Sequence, residues 1–344
     1  MPSCFRPRLG RWSPSHHAVA VAGWAFLTAA LAAGGLRMWP ALSAGERGSG
    51  ADAVPGLEAK AERAKTTMES AQRFLRESRR RAGVHPDAEA GHDASGLIGG
   101  ELTPLVTTLG SLEAKRIAAN PAWARELTVR LAGAGIGRGD LVAAGFSGSF
   151  PGLNLALMCA CQSLGAEIIA VSSVTASTWG ANQPGFTWPE MEAGLVEAGI
   201  VGPASVAVTA GGDSDLALDL EPEGRSAAYA IRDAVARRLR IPALQPQDFD
   251  DAVRQRLAVY RIAARGRPLA LYANVGGADA SLGRSAAVLR LRSGFVAAAA
   301  FGRPGEQGVA ARLAGQGVRL LLLLNVRDLA SRWGLPLSAG GPAE

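Results

Sequence analysis

The residues with the strongest claim to chemistry are one lysine and four short loops rich in serine, threonine, asparagine and glycine. Of the 36 basic residues in this 344-residue chain only Lys60, Lys65 and Lys115 are lysine, and Lys115 alone falls where strands and helices alternate. A desolvated lysine can give up its proton at working pH, whereas an arginine cannot. Lys115 stands beside Thr107, Thr108, Ser111 and Glu113, which hints at a specific role in a chain that otherwise uses arginine. The first loop lies within 145–154, GFSGSFPGLN, and supplies Ser147, Gly148, Ser149 and Asn154. A strand, a turn of small residues and a helix N-terminus together make an anion site, because free N–H groups and the helix dipole point outward. The second loop, 172–182, offers Ser172, Ser173, Thr178, Trp179 and Asn182. These side chains either bind a polar ligand or satisfy the loop's own backbone. The third loop is Gly211-Gly212-Asp213; the fourth holds Asn274, Gly276 and Gly277, with Ser281 and Gly283 close behind. Glycine at such places lets a backbone approach a ligand, or simply makes a turn.

Several familiar chemistries are poorly supplied. The 145–154 stretch lacks the Gly-Lys-Ser/Thr ending of a P-loop and the spacing of a dinucleotide fingerprint. It also misses the nucleophile elbow, since Ser149 stands where glycine is needed. The histidines are His16, His17, His85 and His92, none in a strand-end loop, so neither a Ser-His-Asp triad nor a zinc site has its imidazole at hand. No metal and no cofactor is expected. A nucleic-acid partner is not expected either. The first 40 residues hold four arginines and no acid, which leaves 32 basic against 30 acidic residues in the remainder. A domain so near neutrality lacks the electrostatic footprint of a nucleic-acid binder. Cys159 and Cys161 lie two apart on an expected helix, so their side chains diverge and read as small buried apolar residues.

The elements that must position these loops follow from periodicity. Apolar runs at 141–146, 167–172, 205–208, 269–273 and 318–324 suit buried strands, and helical spacing fills 120–133, 151–164, 222–239 and 247–264. Thr187 to Glu190 reads as a capping box opening a further helix, and Asn325 opens a short last one. Apolar strands separated by helices imply an α/β fold: a Rossmann-like, mainly parallel sheet with helices on both faces. In such sheets ligands gather beyond the C-terminal strand ends, where the four loops fall.

Upstream, residues 18–36 form a 19-residue apolar run whose only clearly polar side chain is Thr28. About 20 residues of helix cross a bilayer core, so this reads as one transmembrane helix rather than a cleaved signal peptide. Arg6, Arg8 and Arg11 precede it and only Arg37 follows closely, which puts 1–17 in the cytoplasm and the domain outside the cell membrane. A linker (37–56), a stalk or domain-packed helix (57–82) and an irregular segment (83–100) lead to the α/β domain at 101–337 and a tail at 338–344. Met68, Ala71, Phe74 and Leu75 share one face of the 57–82 helix.

Several stretches resemble proteins of the poly-gamma-glutamate system family. They are 107–116 (TTLGSLEAKR) with Asn120-Pro121, then 145–154, 172–192, 274–283 and 323–336, spread over roughly 95–336. The resemblance implies a role in making, exporting or handling a surface polymer of gamma-linked glutamate; it carries no catalytic residues. Expected partners are the membrane and the synthase components or the polymer itself. The leading expectation is a membrane-anchored accessory protein that binds polymer, precursor or synthase through its strand-end loops. The alternative is an enzyme acting on gamma-glutamyl amide bonds, with Ser147 or Ser149 as nucleophile and Lys115 as base.

Overall fold

The computed structural model describes residues 56–85, 93, 95–296 and 307–337. The expected N-terminal segment 1–17, the span 18–36, all of the linker but Gly56, and the tail 338–344 lie outside them. Among the described residues no helix is long and apolar enough to cross a membrane.

The strands are β1 (Leu141–Phe146), β2 (Glu167–Ser173), β3 (Asn182–Gln183), β4 (Phe186–Thr187), β5 (Ser205–Thr209), β6 (Leu269–Val275), β7 (Gly294–Val296) and β8 (Leu320–Leu323). Six of them make one sheet in the order β5-β2-β1-β6-β8-β7, while β3 and β4 form a separate antiparallel pair. All neighbours in the large sheet are parallel except β7, which pairs antiparallel with β8. The five parallel strands therefore reverse their spatial order between β1 and β6. That is the doubly wound arrangement, whose ligand crevice opens at the reversal.

The helices are α1 (Leu57–Arg81), α2 (Leu112–Ala118), α3 (Ala122–Gly133), α4 (Pro151–Leu164), α5 (Trp188–Glu197), α6 (Pro222–Leu239), α7 (Phe249–Ala264), α8 (Asp279–Leu282), α9 (Ala286–Leu289), α10 (Val309–Gly315) and α11 (Val326–Trp333). Both sheet faces are covered, as the continuous apolar runs require. Val142, Ala144, Phe146, Leu271, Ala273 and Val275 pack with Met68, Trp123, Leu153 and Leu329 on one face. Leu141, Ala143, Ile169, Val171 and Tyr272 pack on the other with Phe249, Val253 and Tyr260 of α7 and Val309 and Leu313 of α10.

Of the two expectations for the first helix, packing on the domain is what the structure has. Ala64, Met68, Ala71 and Leu75 are buried in the main core, and Gln72 Nε2 donates to Ala119 O at 2.6 Å. The small alanines let α1 lie close against α3 and α4. At its basic end Arg79 is buried and forms an ion pair with Asp93 at 3.6 Å, while Arg80 and Arg81 pair with Glu77 in solvent. The capping box at Thr187 and Glu190 is present, and Gly334 closes α11 in the left-handed conformation. Cys159 and Cys161 are buried free thiols, and burial pushes both thiols up to about 12, which removes the reactive thiolate.

Candidate functional site

The carboxyl ends of β1, β2, β5 and β6 deliver the four loops to one edge of the sheet, and cross-contacts join each loop to the next. Lys115 ties the first to the second. Short α2 opens with Ser111, whose Oγ accepts from Ala114 N–H, and sends Lys115 inward to 4% exposure. Its Nζ donates to Ser149 O at 2.5 Å and to Ser177 Oγ at 2.7 Å, and lies 3.8 Å from the centre of the Phe150 ring. Burial lowers the Lys115 amine to about 7, so the neutral form is well populated near neutral pH. Ser149 Oγ accepts from Ser177 N–H at 3.0 Å, and Ser149 N–H donates to Ser147 Oγ at 3.1 Å.

The first loop also meets the fourth across the strand reversal, where Phe146 pairs with Val275 in register. Gly276 adopts φ +87°, and a Cβ there would lie 2.9 Å from Ser147 Cβ, so a side chain in its place would be strained by the left-handed backbone and crowded by Ser147. Asn154 Nδ2 donates to Ser147 O at 2.9 Å and Asn274 Nδ2 to Gly276 O at 2.6 Å. The Oδ1 atoms of both asparagines are buried without a hydrogen-bond partner among the described residues. Helix α4 rises from the same place with no side-chain cap, so its positive end faces the first loop. Gly277 follows directly.

The third and fourth loops meet through Arg284, which pairs with Asp213 and, at 3.1 Å, with Asp279. Beneath them lies a group that sequence reasoning missed. Arg256 of α7, 0% exposed, grips Asp215 with two hydrogen bonds of 2.6 and 2.7 Å and reaches Ser281 Oγ at 2.9 Å and Ser173 Oγ at 3.2 Å. Burial opposes the charge, but the Asp215 carboxylate overcomes it and holds the guanidinium protonated, above its ordinary range. The signal existed: the buried stripe Phe249–Val253–Arg256–Tyr260 puts an arginine in a core position of the helix.

Several expected ligand residues turn inward. Ser172 Oγ is fully buried, 2.6 Å from Ser205 Oγ. Asn182 Oδ1 accepts from Gly100 N–H and its Nδ2 donates to Gly100 O. Thr178 Oγ1 accepts from Gly110 N–H and donates to Gly110 O, Thr178 N–H donates to Thr108 O, and Thr107 N–H donates to Ala176 O. Trp179, with φ 64°, exchanges backbone bonds with Gly99 and Gly100. These side chains fasten the strap 97–111 over the second loop, so most of that loop's polarity satisfies its own surroundings. Residues near the strand reversal (Ser147, Gly148, Asn154, Asn274, Gly276, Gly277) and the Lys115–Ser177 contact are what remain for a ligand. A separate groove of about 450 Å³ between α1 and α5, lined by Phe74, Phe186 and Met191 among others, shares no residue with these loops.

Behind the second loop, Glu192 is buried and accepts from Ser205 N–H at 2.7 Å and Ser205 Oγ at 2.6 Å. Burial raises its carboxyl above the usual carboxylate range despite those bonds. A folded-state value above the unfolded one means that the native state holds the extra proton. Stability is then full below the unfolded value and is lost as pH rises through the folded one. Glu192→Gln removes that proton linkage. Urea unfolding at about pH 5 and about pH 8 is expected to show the wild type losing more stability than the variant across that interval. Parallel losses would contradict the assignment of a raised value.

Among the described residues no group of three or more His, Cys, Asp or Glu side chains could hold a metal ion. Fold and site together define an open α/β domain with a cluster of polar side chains and glycines at its strand reversal. No protein-family model matches the chain, and no curated protein or solved structure matches it.

Proposed function

We propose that this chain is a membrane-tethered component of a poly-gamma-glutamate system whose α/β domain binds gamma-glutamyl chains in the crevice above β1 and β6. The observation that carries the proposal is convergence. Of the stretches that resemble the family, which are far apart in sequence, 107–116, 145–154, 172–182 and 274–283 contribute to one edge of the sheet, while 188–192 and 323–336 pack into the interior. The chemistry of the edge suits a carboxylate-bearing chain with amide links. An uncapped helix N-terminus attracts the carboxylate, while the Asn154 and Asn274 carbonyl oxygens without partners suit the amide N–H groups. The apolar run 18–36 supports the tether, and the arginines that precede it support an outer-face position, where such a polymer emerges.

Calorimetric titration of the chain with short gamma-linked glutamate oligomers, against alpha-linked ones of equal length, tests this. The expected result is binding of the gamma-linked series only, weakened by about tenfold or more in Ser147→Ala and Asn154→Ala, equivalent to about 1.4 kcal/mol. Equal heats from the two series, or none from either, would remove the proposal.

A second reading has a specific observation behind it, the 2.7 Å contact between Lys115 Nζ and Ser177 Oγ. The expected nucleophiles were Ser147 and Ser149, but Ser149 offers the lysine its carbonyl oxygen and its own hydroxyl faces Ser177 N–H. The serine hydroxyl that meets the lysine is that of Ser177.

A further inference from the structure

We propose that Ser177 and Lys115 form a serine–lysine dyad that cleaves gamma-glutamyl amide bonds by acyl transfer. The choice of substrate rests on the binding proposed above; the dyad itself rests on geometry alone. Nucleophile and base must be in hydrogen-bond reach, and Nζ to Oγ is 2.7 Å. The base must be held so that its lone pair can face the hydroxyl. Ser149 O and the Phe150 ring fix Nζ on its other sides, and the ring's face stabilises the ammonium that forms during transfer. The nucleophile must be held as well, and Ser177 N–H is anchored on Ser149 Oγ at 3.0 Å. Burial at 4% exposure keeps the amine short of water, which favours its neutral, proton-accepting form.

Ser177 is 5% exposed, and its Oγ lies directly beneath Gly110, where a Cβ would sit only 2.9 Å from it. Gly110 is half-buried and its neighbour Leu109 is 88% exposed, so the hydroxyl is one backbone thickness below the surface. Phe150 lies between the two regions: it covers Lys115 Nζ and is 3.9 Å from a Cβ built on Gly276. A chain held at the strand reversal therefore has the dyad as its neighbour across one aromatic ring.

The reaction balances without any co-reactant but water. Ser177 Oγ–H gives its proton to neutral Nζ while Oγ bonds to the amide carbonyl carbon. The C–N bond breaks, and the departing nitrogen takes the proton from the Lys115 ammonium. Water then loses a proton to neutral Nζ and attacks the ester carbonyl. The acid is released, and the Ser177 oxygen recovers the proton from Lys115.

The test uses the full chain with a fluorophosphonate probe, followed by peptide mass spectrometry, and in parallel with gamma-linked glutamate oligomers read by chain length. The expected results are an adduct on Ser177, absent in Ser177→Ala and reduced at least about tenfold in Lys115→Met, and oligomers shortened by wild type only. Thermal unfolding of the variants shows whether they fold. If they do not, the site of the adduct in the wild-type chain still decides. An adduct elsewhere, or none on Ser177, overturns the dyad whether or not oligomers bind. An adduct on Ser177 with bound but intact oligomers overturns the gamma-glutamyl substrate; an adduct with unbound oligomers traces the failure to the binding proposal.

Discussion

Arg256→Met is expected to lower the stability of the domain by about 3–5 kcal/mol, the usual consequence of removing one partner from a buried ion pair. Arg256 and Asp215 are both essentially inaccessible to solvent, so the variant strands a carboxylate inside the protein. The loss would also slacken the site, because the same guanidinium holds Ser173 at the end of β2 and Ser281 after β6. The turn carrying Asp215 is itself unusual: Ser214, Asp215 and Ala217 all have positive φ, and Arg256 grips it through Asp215. Urea unfolding checks the expectation. Arg256→Met with Asp215→Leu, which removes both charges, should lose less than Arg256→Met alone. A loss under about 1 kcal/mol in the single variant would mean that the pair does not organise the loops.

Gly152→Ala is expected to lower stability by about 1–3 kcal/mol, typical of overpacking a close contact. A Cβ at Gly152 would lie 2.3 Å from Ala118 O and 2.7 Å from its carbonyl carbon. Those are backbone atoms, and a rotamer change cannot clear them. The first turn of α4 therefore touches the last turn of α2, which brings Lys115 over Phe150 and Ser149. Forcing the two helices apart admits water to Lys115, so its amine, held at about 7 by burial, should titrate closer to its ordinary 10.5. Nuclear magnetic resonance titration of that amine reads the change. Destabilisation with an unshifted amine would separate the helix contact from the lysine site.

The sheet was legible because its parallel strands are buried on both faces and read as unbroken apolar runs, as Leu141–Phe146 and Leu320–Leu323 do. β7 was not legible: three residues carry no periodicity, and its place is set by pairing with β8. Lys115 stood out by composition, but its partner did not. Ser177 lies 62 positions away, and nothing in the spacing distinguishes it from the other hydroxyls of its loop. Thr178 and Asn182 looked equally available to a ligand, and it takes the strap at 97–111 to engage them. Hydroxyls and amides are ambiguous in sequence because one group can serve a ligand or a neighbouring backbone.

The proposed function has a gamma-glutamyl chain bound at the strand reversal between β1 and β6. Its most direct test is backbone amide resonance mapping on the isotopically labelled chain during titration with a gamma-linked glutamate oligomer. The amides of Ser147, Gly148, Gly276 and Gly277 are expected to shift together and saturably, with those of β7 and the α1–α5 groove unmoved. Shifts confined to that groove, or no saturable shift anywhere, would contradict it.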